Sequence, residues 1–411
     1  MNKKNLNLAK FPDNFLWGVS TSAYQIEGGN KNDWSVWEKS ASRKKDLALR
    51  GEKLEEFISG EACNSWQFFE QDFDLIESLN CNVYRMGLEW SRIEPEEGKF
   101  DKNVIQNYKK MFISLKKRNI KLALTLWHWT NPTWISEADG WTNHKTVNFF
   151  ARFSQLCVDE FGDYVDFWVV LNEPMIHIGN GYLTGKFPPN RKFDIIGAFL
   201  TRKHLILAQK KVYEIIHNSI KQAQVGFTSI ANFIEPAHKF NIIELILAKT
   251  YHWWWNVAFL KATKDFIDYV AFDYYFHDRI VWYPPFRKNL NNKVTDMGWE
   301  IYPKGIYEVI KSLSKFKKPL YIMENGLADS RDQYRADFIR DHLFHVKRAI
   351  DDGFDVRGYF HWSLLDNFEW AAGYQPKFGL FSIEPQTFKR LARPSAKIYA
   401  ETCKNNGFWS E

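Results

Sequence analysis

The sequence predicts an α/β protein folded as a single (β/α)8 barrel, the TIM-barrel architecture. Eight short apolar segments alternate with longer segments of helical periodicity, which is the pattern of βα units in a parallel sheet. No GxGxxG motif follows the first apolar segment, so an open doubly wound sheet fits less well. No linker rich in Pro, Gly or Ser divides the 411 residues. We therefore expect one domain over 1–411, with loosely ordered termini at about 1–10 and 406–411.

The eight apolar segments have the length of strands. In chain order they are FLWGVS (15–20), NVYRMGL (82–88), KLALTLW (121–127), DFWVVLN (166–172), QVGFTS (224–229), DYVAFDYY (268–275), PLYIME (319–324) and DVRGYFHW (355–362). The region between the fifth and sixth segments is the least regular part of the pattern.

Helical periodicity fills the intervals between these strands. Helices are expected at 63–79, 103–119, 143–161, 198–221, 303–316, 333–352 and 394–405. In the first of them, Trp66, Phe69, Phe73 and Ile76 recur at helical spacing. They form one apolar stripe that is expected to pack on the barrel.

Two predicted strands end on a glutamate. FWVVLNEP (167–174) places Glu173 after the fourth strand, and YIMENGLAD (321–329) places Glu324 at the end of the seventh. Reacting groups in such barrels lie at the carboxyl ends of the strands, so both should meet at one rim. A single glutamate at a strand end is more often an ion-pair or capping residue. The pair, together with further polar and aromatic groups at other strand ends, favours catalysis.

Two facing carboxyl groups can cleave a glycosidic bond, one as proton donor and one as nucleophile or base. Glu173 lies between an apolar run and Pro174, a setting that raises a carboxyl pKa and keeps the group protonated. Glu324 should stay ionised, with Arg85 and Tyr275 as candidate partners. Retention of configuration predicts a carboxyl separation of about 5–5.5 Å, and a gap near 9 Å would indicate inversion.

Other strand ends carry groups suited to a polyhydroxylated ring, since amides, imidazole and carboxylates bind hydroxyls and indoles stack on C–H faces. His128 alone would fit a core position equally well. No HExxH motif or His/Cys cluster appears, so we expect no metal. The predicted ring-binding residues are Gln25, His128, Trp129, Asn172, Trp362, Glu369 and Trp370.

Composition excludes several other classes. The net charge is only +6 and the charges are interspersed, which argues against a nucleic-acid partner. The four cysteines lack CxxC spacing and are expected to be reduced and buried. The start MNKKNLNLAKF lacks the apolar core of a signal peptide, and no run of about 18 apolar residues occurs. We expect a cytoplasmic protein with no membrane partner, and the sequence does not indicate its oligomeric state.

Six ordered motifs resemble those of glycoside hydrolase family 1, the β-glucosidase-like retaining glycosidases. They are FLWGVSTSAYQIEGG, YRMGLEWSRIEPEEGKF, LTLWHWTNPTW, VVLNEP, IMENG and HWSLLDNFEWAAGYQPKFGL. The resemblance implies that Glu173 is the acid/base and Glu324 the nucleophile, flanked by Arg85 and Tyr275. It also implies that Trp362 forms the stacking floor for the sugar and that no cofactor is needed.

The resemblance also narrows the substrate. Family members that act on 6-phosphorylated sugars carry a serine and a lysine after the last strand, where this chain has Glu369 and Trp370. An anionic Glu369 would repel phosphate, so an unphosphorylated β-glucoside, β-galactoside or β-fucoside is expected, with β-glucoside first. Two alternatives stay open: a sugar-binding barrel without turnover, and a transglycosylase.

Three features depart from the family pattern. Asp273 stands where an asparagine is usual, and an extra carboxylate there disfavours ionisation of its neighbours. Met323 replaces a common threonine before Glu324. The chain is also shorter than most relatives, which predicts a more open aglycone side. We interpret the nearby run Trp253-Trp254-Trp255 as packing rather than as an aglycone platform.

Overall fold

A computed structural model describes residues 7–410, and its centre is a closed barrel of eight strands. Each strand is parallel to both neighbours, and the last pairs with the first. The strands are β1 (Leu16–Ser20), β2 (Val83–Gly87), β3 (Lys121–Trp127), β4 (Phe167–Asn172), β5 (Val225–Ile230), β6 (Val270–Tyr274), β7 (Leu320–Asn325) and β8 (Val356–Trp362). The predicted fold class is confirmed, and every predicted strand agrees with an observed one to within two residues.

Eight principal helices surround the barrel. They are α1 (Ser65–Ser78), α2 (Lys102–Lys117), α3 (Lys145–Phe161), α4 (Ile195–Ser219), α5 (Ile242–His252), α6 (Lys304–Leu313), α7 (Arg335–Asp351) and α8 (Pro394–Asn405). Shorter helices lie at Ala23–Ile26, Asp33–Trp37, Ala41–Leu49, Trp90–Ile93, Thr133–Glu137, Pro174–Ile178 and Ala258–Thr263. Only α5, in the irregular interval, was not expected.

The predicted stripe on α1 faces the barrel. Phe73 and Ile76 are buried, while Trp66 and Phe69 are partly buried against the same core. A separate apolar cluster fills the inside of the barrel and includes Met323. All four cysteines are buried and none forms a disulfide.

The described parts of the two termini pair with each other. Asn7–Lys10 forms an antiparallel two-stranded sheet with Gly407–Ser410. Backbone pairing thus joins the two ends of the described chain, and the expectation of loosely ordered termini stays a prediction. Residues 1–6 and 411 lie outside the described part of the chain.

Two further short sheets lie outside the barrel. Phe233–Pro236 pairs in parallel with His277–Ile280, and Phe381–Ile383 pairs antiparallel with Arg390–Ala392. The first sheet links the connections that leave β5 and β6. No helix within residues 7–410 has both the length and the apolarity needed to cross a membrane.

Candidate active site

Glu173 and Glu324 lie together at the carboxyl end of the barrel, as predicted from their positions after β4 and β7. Both are buried, with 5% and 4% of their surface exposed. A carboxylate oxygen of each, and one of Asp273, lie within 4.8 Å of one another. Oxygens this close agree with the carboxyl separation of about 5–5.5 Å in retaining glycosidases.

Arg85 and Tyr275 hold Glu324. The Arg85 guanidinium forms a buried ion pair with Oε1, and the Tyr275 hydroxyl donates to Oε2 at 2.9 Å. Arg85 also donates to the side-chain oxygen of Asn172, so one cation fixes both a carboxylate and an amide. Both carboxylate oxygens of Glu324 are thereby oriented.

The backbone at Glu173 adopts an uncommon conformation. Its φ of 39° and ψ of 59° lie in the left-handed region, which is costly for a residue with a Cβ. Pro174 then begins the short helix Pro174–Ile178, and the amide of Glu173 donates to the Thr228 carbonyl at 2.9 Å. This turn directs the glutamate inward at the point where the strand ends.

Steric crowding explains why a glycine, Gly326, follows Glu324 and Asn325. A Cβ at this position would lie 1.7 Å from the carbonyl oxygen of Trp362, too close for any other residue without a backbone shift. The absence of a side chain lets β7 and β8 approach closely where they deliver Glu324 and Trp362. The sequence motif therefore has a steric cause as well as a chemical one.

The two glutamates differ in electrostatic environment. Burial, with the charges of Asp273 and Glu324, raises the pKa of Glu173 well above its usual value. Burial also raises the pKa of Glu324, but Arg85 and the Tyr275 hydrogen bond offset part of this rise. Glu324 is therefore the stronger acid of the pair, in the order that the sequence predicted.

Asp273 is the third buried carboxylate of the site. It is fully buried, and neither of its oxygens has a hydrogen-bond partner among residues 7–410. Burial and the charge of Glu324 raise its pKa well above the usual range. The three carboxylates are close enough to hold a metal ion. The expectation of no metal stays a prediction, and Arg85 already supplies positive charge at Glu324.

The predicted ring-binding residues fall into two groups around the carboxylates. In the first, Asn172 Nδ2 pairs with His128 Nε2 at 2.9 Å, and Trp129 Nε1 donates to the Asn172 carbonyl at 3.0 Å. Burial and Arg85 hold the pKa of His128 well below its usual range, so the imidazole is neutral. This group presents an amide and a neutral imidazole.

The second group brings Gln25, which follows β1, into contact with residues that follow β8. Gln25 Nε2 donates to Glu369 Oε2 at 3.2 Å and to the Phe368 carbonyl at 2.8 Å. The Trp370 ring stacks on His128 at 5.6 Å and thereby connects the two groups. Trp362, at the end of β8, lies 6.3 Å from the His128 ring. All predicted site residues are thus at one end of the barrel.

The surroundings of Glu369 weaken the predicted repulsion of phosphate. Burial and the charge of Glu324 raise its pKa to about 8, which disfavours the anionic form, although part of the residue is exposed. Repulsion between an anionic Glu369 and a phosphate is therefore too simple a reason for excluding phosphorylated sugars. The remaining reason is that Gln25 is the only side chain that hydrogen-bonds Glu369 within the described chain, and it brings no positive charge.

Sequence reasoning missed two residues that position the site. The Thr228 hydroxyl donates to the Asn172 side-chain oxygen at 2.7 Å, and Asn367 accepts from Gln25 at 3.0 Å. Thr228 lies in the expected strand QVGFTS, where its polarity in a buried strand was a usable signal. Asn367 follows β8 and its contact depends on a loop conformation that no local pattern predicts.

Two other expectations can be compared with the structure. Met323 is fully buried in the apolar cluster inside the barrel. At the position where the family commonly has a threonine, this chain therefore has a side chain that packs against apolar neighbours below the site. The packing interpretation of the tryptophan run is wrong for two of the three residues. Trp253 and Trp254 are 51% and 39% exposed, whereas Trp255 is partly buried against the main core.

Comparison with known proteins places these motifs in a family. The family model "Glycosyl hydrolase family 1" matches residues 7–271 and 260–408. A 1,4-beta-D-glucan glucohydrolase of Thermotoga neapolitana is 33% identical over 448 aligned positions that cover 97% of this chain and 99% of the relative. This chain has 411 residues, so the alignment includes positions of the relative that this chain lacks. This agrees with the expectation that the chain is shorter than most relatives.

Solved structures are similar over the same extent. A beta-glycosidase from Pyrococcus horikoshii has a TM-score of 0.89 at 34% identity and covers 98% of this chain and 96% of its own. A beta-glucosidase from Thermotoga maritima in complex with glucoimidazole has a TM-score of 0.89 at 28% identity, with 97% and 100% covered. The similarity therefore extends over nearly the whole of this chain and of both structures.

Proposed function

The chain belongs to glycosyl hydrolase family 1 and is a glycoside hydrolase, and on this premise we propose that it is a retaining exo-β-glycosidase with β-glucosides as its main substrates. The observation that carries the proposal is the pair Glu173 and Glu324, with carboxylate oxygens within 4.8 Å of each other. Retaining glycosidases have their carboxyl groups this close together, and there the second carboxylate attacks the sugar directly.

Each glutamate has the surroundings that its proposed role requires. Glu324, oriented by Arg85 and Tyr275, attacks the anomeric carbon and forms a glycosyl-enzyme ester. Glu173, whose pKa is raised by burial and by two neighbouring carboxylates, gives its proton to the leaving oxygen. In the second step Glu173 takes a proton from water, which cleaves the ester with a second inversion.

The ring-binding groups support a neutral sugar. Asn172, His128, Gln25 and Glu369 offer amide, imidazole and carboxyl groups at one end of the barrel. Such groups bind hydroxyls in pairs, and Trp362 supplies an apolar surface for the ring. Similar proteins named 1,4-beta-D-glucan glucohydrolase and beta-glucosidase support β-glucosides as the main class, and one named beta-galactosidase supports β-galactosides next. We include β-fucosides in the proposal as a third class.

The stereochemistry of the first-formed product tests the mechanism. Proton NMR during hydrolysis of an aryl β-glucoside should show the β-anomer first, and appearance of the α-anomer first would contradict double displacement. Replacing Glu324 by glycine should abolish turnover, whereas unchanged turnover would show that the nucleophile is misassigned. Relative rates on aryl β-glucoside, β-galactoside, β-fucoside, β-mannoside and 6-phospho-β-glucoside would test the substrate class.

A further inference from the structure

Exposed apolar side chains are concentrated in three segments, 193–199, 240–254 and 282–290. We call their exposed apolar residues the apolar face. They account for 15 of the 21 large hydrophobic side chains that are exposed among the described residues. Phe240 is 99% exposed and Phe193 84%. An exposed apolar area of this extent marks a contact surface rather than ordinary surface scatter.

Two cation–π contacts join the segments into one surface. The Arg202 guanidinium lies 5.2 Å from the Trp254 ring, which connects the start of α4 to the end of α5. The Arg287 guanidinium lies 5.1 Å from the Tyr251 ring and also donates to its hydroxyl, which connects the third segment to α5. The apolar face is therefore continuous across these connections.

The apolar face borders the candidate active site. Its three segments lie in the connections that leave the carboxyl ends of β4, β5 and β6. The connection after β6 also carries Trp299, whose ring lies 5.9 Å from that of Tyr275, the residue that donates to Glu324. The exposed residues and the predicted catalytic residues thus share one end of the barrel.

The same surface is strongly cationic. Over 191–203, 237–254 and 281–293 no Asp or Glu is exposed, since Asp194 is half-buried and Glu244 is buried. Seven basic side chains in these ranges are exposed: Lys192, Lys203, Lys239, Lys249, Arg287, Lys288 and Lys293. Arg287 is paired with Asp278 at 3.3 Å, which leaves six lysines as the positive charge of the surface. The net charge of the whole chain is only +6, so positive charge is concentrated around the apolar face.

We propose that the apolar face docks on an anionic lipid bilayer, with Trp253, Trp254 and Trp282 at the headgroup level. Aromatic and aliphatic side chains ringed by Lys and Arg are the composition of surfaces that insert shallowly into the membrane interface. Anionic headgroups complement the basic side chains. A second copy fits less well, because two such faces would bring like charges together. We expected no membrane partner because the sequence has no long apolar stretch. Shallow docking does not require such a stretch.

Docking would turn the mouth of the barrel toward the lipid headgroups. A β-glycoside whose aglycone is a lipid could then reach Glu173 and Glu324 from the bilayer. This substrate class rests on the proposed function, whereas the docking itself does not.

Vesicle binding tests the docking without any turnover. The purified chain should co-sediment with vesicles of phosphatidylcholine and phosphatidylglycerol and much less with phosphatidylcholine alone, and salt should weaken the binding. No binding to either vesicle, or equal binding to both, would overturn the proposal of an anionic bilayer.

Matched variants locate the surface. The double substitution Phe240→Ser and Ile246→Ser removes two exposed apolar side chains and should weaken vesicle binding at least about tenfold. Phe344→Ser is the control, since Phe344 is 50% exposed but lies on α7, outside the apolar face. If Phe344→Ser weakened vesicle binding as much as the double substitution does, the apolar face would not be the docking surface. A dimer that becomes a monomer in the double variant would show instead that a second copy covers the face.

Turnover separates the two proposals. With a glucosylated lipid in the vesicles, the double variant should lose hydrolysis while its rate on a free aryl β-glucoside stays unchanged. Vesicle binding without hydrolysis of either substrate would refute the proposed function and leave docking intact. If the parent chain and the double variant hydrolysed the glucosylated lipid in vesicles at equal rates, docking would not be needed to reach a lipid-linked substrate. That part of the proposal would be overturned.

Discussion

Asp273 and Glu324 are register partners on the adjacent parallel strands β6 and β7. The pairing runs from Ile322 with Phe272 directly to Glu324 with Asp273, and Met323 forms a bulge between them. Because paired residues on neighbouring parallel strands point to the same side, the bulge places two carboxyl groups side by side at the end of the barrel. The aspartate is therefore part of the electrostatics of both proposed catalytic groups.

Substitution of Asp273 by asparagine should shift the alkaline limb of the activity profile to lower pH. Burial and then the Asp273 charge raise the pKa of Glu173. The pKa of Asp273 is itself raised, so this charge acts on the alkaline side of the profile, and its removal lets Glu173 lose its proton at lower pH. The direction follows because a buried like charge no longer opposes ionisation of Glu173. The measurement is kcat/KM against pH with an aryl β-glucoside.

Asparagine conserves the shape of the side chain, so folding should be retained, and the thermal midpoint provides the control. An alkaline limb that stays in place or moves to higher pH would show that Asp273 does not act on the proton donor.

Substitution of Tyr275 by phenylalanine should shift the acid limb to higher pH. The hydroxyl donates to Glu324 at 2.9 Å and lowers the pKa of that carboxyl group. Without it, Glu324 becomes protonated at higher pH, so activity is lost earlier on acidification. A hydrogen bond to the charged form favours that form, so its loss raises the pKa of Glu324.

The same pH series distinguishes this effect from a loss of packing. Phenylalanine keeps the ring in contact with Trp299 and Phe378. A uniform fall in kcat/KM at all pH values, with the acid limb unchanged, would indicate a steric role for Tyr275 instead.

The barrel could be predicted from the sequence because its strands are buried on both faces. The segment 167–172, FWVVLN, is buried throughout and therefore appears as a continuous apolar run with a polar end. The same reasoning located Glu173 and Glu324, since strand ends in a closed parallel barrel share one rim. Local patterns were sufficient wherever the site lies on the strands themselves.

Features that depend on contacts between connections could not be predicted in this way. Helix α5 exposes Ile242, Ile243 and Ile246, so its apolar residues do not face the core as helical periodicity assumes. The protonation of Glu369 depends on its burial and on Glu324, which is 45 positions away. Neither property is encoded in a local segment.

Substitution of Glu173 by glutamine should reduce turnover, and the reduction should be larger for a leaving group with a higher pKa. General acid catalysis contributes roughly 10²–10⁴-fold, and a phenol with a low pKa needs less of it than an alcohol. The rate on an alkyl β-glucoside should therefore fall much more than the rate of glycosylation by a dinitrophenyl β-glucoside. Pre-steady-state release of the phenol measures the first step by itself.

Azide supplies a second readout for the same variant, because it attacks the glycosyl-enzyme without a general base. Added azide should restore turnover and yield β-glucosyl azide. Equal losses on both substrates, with no rescue by azide, would exclude Glu173 as the acid/base.

Substitution of Gly326 by alanine should lower both stability and activity. The new Cβ would lie 1.7 Å from the Trp362 carbonyl oxygen and 3.2 Å from its Cβ, so β7 and β8 must move apart next to Glu324. Overpacking of this kind costs about 1–3 kcal/mol of the free energy of unfolding, or more when backbone atoms clash. Denaturant unfolding and kcat/KM on an aryl β-glucoside measure the two effects.

Gly179→Ala is the matched control, since Gly179 has a helical φ of −62° and a Cβ there would meet Trp255 at an ordinary 3.6 Å. Its stability should stay within about 0.5 kcal/mol of the parent chain. If Gly326→Ala were equally harmless, the contact with Trp362 would not restrict this position. A stable but inactive Gly326→Ala variant would show that the close approach of β7 and β8 serves the alignment of Glu324 more than folding.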